Sequence, residues 1–228
     1  MKVRIKFSKY GALRFIGHLD VMRYFQKAIR RAEIDIAYSE GFSPHQIMSF
    51  ASPLSVGHTS SGEYFDIEVN SFTDEEDMHK RLQDVMAEGI DILKIKLLPE
   101  KEKNAMASVA AADYLLTFSE RFTPPEGWEE QLLEFYAQEM IPAIKKTKKT
   151  KKGEREINLK EGIYRLEIRK DGVYMLLDAG SGSNLKPGFV MDFFFEKQGV
   201  SLPEYPFRIH RIETYKRNDG GSLEPLAL

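Results

Sequence analysis

The 228-residue chain contains no cysteine. That excludes disulfides, thiolate zinc sites, a cysteine nucleophile and an ordinary iron–sulfur cluster, each of which needs a thiol or thiolate. Nor does any run approach the ~18 to 20 unbroken apolar residues of a membrane helix. The opening "MKVRIKF" alternates apolar and charged residues where a signal peptide would carry an apolar core. A cytoplasmic chain with no membrane association is expected. A dominant charge is missing too: 33 Lys and Arg face 35 Asp and Glu, for a net charge of −2. Any nucleic-acid surface must therefore come from cations segregated on one face.

What is present is an ordinary globular composition, 42% hydrophobic and 30% charged, enough for one sizeable core or two smaller ones. Val3, Ile5 and Phe7 alternate with Lys2, Arg4 and Lys6, the period of a half-buried strand. From Leu19 the period becomes helical: Leu19, Met22, Phe25, Ile29 and Ala32 line one side and Arg23, Lys27, Arg30 and Arg31 the other. Residues 34–38, 47–54, 63–69 and 91–98 read as extended. Thr73 and Glu76 have capping-box spacing ahead of a second helix. Residues 1–100 thus read β-α-β-β-α-β, the order of a ferredoxin-like sandwich.

After a polar linker at 101–110 the order starts again over 111–217. A strand at 112–118 is followed by a helix opened by Thr123, Pro124 and Pro125, and then by a hairpin turning at Asp171-Gly172. A second helix has Pro187 near its first turn, and a last strand spans 206–217. Residues 218–228 read as a frayed tail. The expected fold is α+β: two tandem ferredoxin-like β-α-β-β-α-β units with antiparallel sheets.

Three stretches could carry chemistry. On the first helix Arg23, Lys27, Arg30 and Arg31 project from one side, with Arg14 just before it. Such a face is either a solvated surface or a phosphate-contacting element. The second stretch, "KKTKKTKK", includes Lys148, Lys149, Lys151 and Lys152. It suits an exposed hairpin tip, which blocks strand pairing or binds a polyanion through counterion release. The third, Gly180, Gly182, Ser183, Asn184 and Lys186, runs into a helix N-terminus, where free amides suit an anion. It matches neither the Walker nor the G-x-G-x-x-G spacing, and a plain strand-to-helix turn explains it equally. The five histidines show no H-E-x-x-H spacing, and no serine has a G-x-S-x-G context. No metal, cofactor or catalytic set is expected, with His18 and His45 the only weak candidates. His18 begins a helix and His45 follows Pro44 in a rigid turn.

The stretches "RFIGHLDVMRYFQKAIRRA", "AYSEGFSPHQIMSFASPLSVG" and "GEYFDIEV" resemble the radical-SAM-linked proteins, a bacterial family found free-standing or as the C-terminal part of a cobalamin-binding radical SAM protein. Arg14, Gly17, His18, Asp20, Arg23, Arg30, Arg31, Tyr38, Gly41, Phe42, Pro44, His45 and Glu63 stand in the family's positions. Ser43, Gln46 and Ile47 depart from its frequent Gly-Phe-Asn-Pro-His-Pro-Lys loop. The resemblance implies a radical SAM enzyme as partner. A radical SAM enzyme holds its cluster with cysteines, so this cysteine-free chain would be the non-catalytic accessory module. RNA is the expected ligand, with His18, Tyr38 and His45 shaping a pocket for an unstacked base. A metal-independent RNA endonuclease and a pure protein scaffold are the alternatives.

Overall fold

A computed structural model describes residues 1–146, 153–180 and 184–227. The chain divides into two units, Met1–Ala110 together with His210–Leu228, and Ala111–Ile209. The first runs β1 (Lys2–Lys9), a 3-10 turn (Gly11–Phe15), α1 (His18–Arg31), β2 (Met48–Phe50), β3 (Thr59–Glu68), α2 (Glu75–Gln83), β4 (Ile90–Leu97) and α3 (Ala105–Ser108). The second runs β5 (Ala111–Phe118), α4 (Trp128–Ala137), β6 (Pro142–Lys146), β7 (Glu154–Asn158), α5 (Leu159–Gly162), β8 (Ile163–Arg169), β9 (Gly172–Asp178) and α6 (Pro187–Lys197). β10 (Phe207–Arg217) begins in the second unit and ends in the first, followed by β11 (Leu223–Pro225). The fold is mixed α+β, with mostly antiparallel pairing.

In the first unit Phe65–Ile67 of β3 pair antiparallel with β1 on one side and with β2 on the other, and β4 lies outside β1. That gives the order β4-β1-β3-β2. Thr59 and Ser60, further along β3, pair in parallel with His210 and Arg211. α1 buries Val21, Phe25, Ala28 and Ile29. The rings of Phe7, Phe25, Phe50 and Phe65 pack at centroid distances of 4.6–6.2 Å, the offset and edge-on geometry that aromatic quadrupoles favour.

The second face of this sheet is covered as well, which overturns the half-buried reading of β1. Arg4, placed by its alternation on the polar side, is fully buried (0% exposed). It donates to both carboxylate oxygens of Asp66 (2.8 and 3.0 Å), to the Leu226 carbonyl (2.9 Å) and to the Lys103 carbonyl (2.9 Å). The cover comes from the segment expected as a linker (101–110) and, as far as Ala227, from the expected frayed tail (218–228). Ala105, Leu226 and Ala227 are buried against Tyr64 and Ala51, and β11 pairs with β10. Buried charge here is paired and hydrogen-bonded, as burial demands.

In the second unit β5, β9 and β8 pair antiparallel in that order, and β10 lies beside β5, contributing Phe207–Ile209 to this unit. α4 and α6 bury Leu132, Phe135, Val190, Met191, Phe194 and Phe195 in one cluster with Leu116, Val173, Met175 and Leu177. β6 and β7, which follow α4 in sequence, form a separate two-stranded ladder.

Several local readings shift. Asp74, not Thr73, caps α2, its carboxylate accepting the Asp77 N–H (2.8 Å). Pro124 and Pro125 precede α4, which starts at Trp128 behind a left-handed Gly127. Residues 34–38 contribute only the bridges Ile36–Val69 and Tyr38–Gln46. The β8–β9 loop is Lys170-Asp171, because Arg169 pairs with Gly172. Gly172 has a φ of +146°, and a Cβ there would collide with the Leu116 carbonyl, so neighbouring β5 leaves room for glycine alone. Leu19 points to solvent while Val21 takes the core position.

Candidate functional site

The first unit gathers most of the residues singled out from sequence. On α1 the buried positions leave Arg23, Lys27, Arg30 and Arg31 on the exposed side. Arg23 lies 3.4 Å from Asp20 in an exposed pair, an interaction worth little in water. Arg31 donates to the Val85 carbonyl (3.1 Å). Lys27 and Arg30 form no ion pair among the described residues, so their charge is available to a ligand.

A loop is fastened beside this helix. Gln46 is buried and donates to the Gln26 carbonyl of α1 (3.2 Å). The loop closes on itself through Ser39 and His45: the Ser39 hydroxyl lies 2.8 Å from Nδ1 of His45 and accepts the His45 N–H (3.1 Å). Gly41 turns the chain with φ +103°, and Phe42 at the tip projects fully into solvent (111% relative exposure). Tyr38 and His45 are exposed on the same loop. Cations next to exposed rings are the ingredients of a single-stranded nucleic-acid surface, charge for phosphates and rings for bases.

Arg14 and His18 belong to a different corner. The Arg14 guanidinium lies over the exposed Phe15 ring, 4.7 Å from its centroid. The Arg14 carbonyl accepts the Gly57 N–H (2.8 Å). Lys9, at the end of β1 and only 2% exposed, donates to the Ile16 carbonyl (2.9 Å) and reaches that of Arg14 (3.5 Å), clipping the 3-10 turn to the sheet. His18 does not cap α1 through its side chain. Instead its ring packs edge-on to Phe50 (5.3 Å) and lines a cavity of about 10 Å³ with Lys9, Ser52 and Glu63, room for about one water. Burial lowers the pKa of both Lys9 and His18, and the nearby Glu63 carboxylate partly counters this. Glu63 itself is held by Arg211 (2.9 and 3.1 Å).

Further along β3, the His210 ring spans two hydroxyls, Thr59 at Nδ1 and Ser61 at Nε2, both at 2.9 Å. A hydroxyl on an imidazole that is itself held by a third group is the arrangement that activates a nucleophile. Sequence reading missed Lys9, Ser61, His210 and Arg211, because each sits in an ordinary strand pattern and only strand register brings them together. His79 on α2 is half-buried and bonded to the Ile92 carbonyl (2.7 Å).

In the second unit the expected anion loop meets a carboxylate. The Gly180 N–H is taken by Asp178 (2.9 Å), which also accepts from Tyr164 (2.8 Å). Asn184 is left-handed (φ +45°), and its carbonyl accepts from the half-buried Lys145 (2.9 Å). Lys186 is the N-cap residue of α6 and makes no side-chain cap bond. Gly182 and Ser183, and the lysines at Lys148, Lys149, Lys151 and Lys152, lie outside the described residues. Among the described residues no three His, Asp or Glu side chains gather as a metal site. No described helix is long and apolar enough to cross a membrane.

Fold and site together define a mixed α+β protein whose first unit carries a basic helix face and a small buried polar cavity. Residues 2–187 match the model of a bacterial family described as "Uncharacterized protein conserved in bacteria (DUF2344)", and the chain belongs to that family. No curated protein matches it. Among solved structures it is similar to a chain in a crystal structure of a Cbf5-Nop10-Gar1 complex (TM-score 0.48, 11% identity), covering 93% of this chain and 48% of that one. It is similar at a lower level to a heavy metal efflux pump (TM-score 0.25, 7% identity), covering 93% of this chain and 28% of the pump chain. The chain thus spans about half the length of the first and about a quarter of the second.

Proposed function

We propose that this protein is a non-catalytic accessory module that holds a polyanionic substrate, structured RNA, and works with a radical SAM partner enzyme in the cytoplasm. The observation that carries the reading is the exposed face of α1, where Lys27 and Arg30 have no ion pair among the described residues. Beside it the Gln46-anchored loop presents Tyr38, Phe42 and His45. Long-range attraction from such a stripe would supply affinity, and the rings would supply a preference for unstacked bases. The radical SAM partner rests on the sequence resemblance. Each unit is read as ferredoxin-like, supported by the orders β4-β1-β3-β2 and β10-β5-β9-β8. Crosslinking in cells followed by sequencing of bound RNA tests the reading, with wild type compared to Arg23→Gln/Arg30→Gln/Arg31→Gln. One RNA class enriched with wild type and lost in the variant supports it. No enrichment with wild type overturns it.

A second reading, metal-independent RNA cleavage, draws on two observations: Lys9, His18 and Glu63 share a cavity, and Ser61 contacts His210. Cleavage of labelled RNA in EDTA, abolished by His18→Ala or His210→Ala, selects it over the accessory role.

A further inference from the structure

An open groove of about 760 Å³ lies on the second unit between α6 and the β6–β7 ladder. Its floor is aromatic and aliphatic. Phe189 and Phe193, one turn apart on α6, stand with ring centroids 6.5 Å apart, and Ile144 on β6 is 58% exposed. Its rim is acidic. Asp192 and Glu196 are i, i+4 neighbours on α6, and Glu156 on β7 sits directly across the ladder from Ile144. None of the three carboxylates forms an ion pair among the described residues.

Like charges at i, i+4 repel, and Asp192 shows it: partial desolvation and the Glu196 charge hold its carboxyl above the ordinary carboxylate range. Lys197, the one cation among the described residues that line the groove, has its ammonium 5.4 Å above the Phe193 ring centroid, so the floor already accepts a positive group in the cation–π manner. Lys145, adjoining on β6, points its ammonium at the Asn184 carbonyl.

We infer that this groove is a docking site for a basic, amphipathic segment of a partner protein, whose Arg or Lys heads meet Glu156, Asp192 and Glu196 while its apolar side chains cover Ile144, Phe189 and Phe193. Half-buried rings beside an exposed isoleucine form an apolar patch that a partner can cover, three carboxylates with no ion pair among the described residues attract cations, and a segment with apolar and basic side chains on the same face supplies both. RNA does not fit, because its phosphates would face the acids. This surface is independent of the α1 stripe, so it stands or falls apart from the RNA reading.

The test uses a fluorescein-labelled Arg/Leu octapeptide, Arg-Ser-Leu-Ser-Arg-Ser-Leu-Ser, whose Arg and Leu share one face when extended, a matched Glu/Leu peptide with Glu in place of Arg, and the full chain. Fluorescence anisotropy should show the Arg/Leu peptide bound and the Glu/Leu peptide unbound. Glu156→Gln/Asp192→Asn/Glu196→Gln should weaken the Arg/Leu peptide about tenfold or more, since three exposed charge pairs are lost. Ile144→Ser should weaken it with all charges intact. Both variants lie at the surface, and an unchanged circular dichroism spectrum verifies their fold. Four results would overturn the inference: no binding to wild type, equal binding of both peptides, unchanged affinity in the triple variant, or binding seen only after Lys148, Lys149, Lys151 and Lys152 are replaced by Ser. The last would make the chain's own lysine run the occupant.

Discussion

Replacing Arg4 with Met probes how the first unit covers the second face of its sheet. The guanidinium makes four hydrogen bonds, two to Asp66 and one each to the carbonyls of Lys103 and Leu226. Without it, the buried Asp66 carboxylate keeps, among the described residues, only the Ala105 N–H (2.7 Å). Breaking one member of a buried pair costs about 3–5 kcal/mol, mostly from the charge left behind. With a urea dependence of about 2 kcal/mol per molar, the unfolding midpoint should fall by roughly 2 M. Far-UV circular dichroism in urea reads this. The double variant Arg4→Met/Asp66→Leu removes the stranded charge and should recover much of the loss, because apolar replacement of a buried pair is often near neutral. A single variant costing under about 1 kcal/mol, or a double variant as unstable as the two singles summed, would refute the reasoning.

Other outcomes follow from the same geometry. Glu102 bonds to Lys216 (3.0 Å), which holds its carboxyl below the ordinary glutamate range. The unfolded chain therefore binds more protons in that window, and this contribution is present above pH ~4.5 and lost as pH falls through the folded value. Glu102→Gln should flatten the acid side of the stability curve, and an unchanged curve would count against the pair. Tyr174, buried against Asp113, is pushed up to about 12, and Tyr64, bonded to Glu213 (2.7 Å), is raised further. Ultraviolet titration of the folded protein should leave at least these two phenols un-ionised at pH 11, and complete ionisation there would contradict the packing. Gly172→Ala forces a side chain against Leu116 at positive φ and should cost at least about 1–3 kcal/mol in thermal or urea unfolding. A neutral result would show that the β8–β9 hairpin is misplaced.

Much of the element order is legible in the residues, because apolar period is a local signal. Phe25, Ile29, Phe65 and Ile67 announce a helix and a strand, and they form the core as expected. Arg4 misleads because alternation reports which side of a strand a residue takes, not what covers that side. The cover comes from residues 99 positions away at Lys103 and 222 away at Leu226. The basic stripe of α1 is visible in the spacing of Arg23, Lys27 and Arg30. The cavity residues Lys9 and Glu63, and the Arg211 that holds Glu63, are not, since pairing register across β1, β3 and β10 brings them together. Phe42 is a loop aromatic whose full exposure shows only once Gln46 anchors the loop to α1. The acidic groove depends on β6–β7 and α6 meeting, which no local pattern in either segment signals.

If the α1 face meets phosphates, RNA binding must weaken steeply as salt rises. Binding of a fluorescein-labelled hairpin RNA would be followed by anisotropy from 50 to 200 mM KCl, for wild type and for Lys27→Gln/Arg30→Gln/Arg31→Gln. Each lost phosphate contact lowers the slope of log K against log salt by about 0.7–0.9. Wild type should bind with a steep slope, and the variant should bind more weakly with a slope shallower by about 2. A wild type that binds no RNA, or a variant that keeps the full slope, would rule out phosphate contacts by this face.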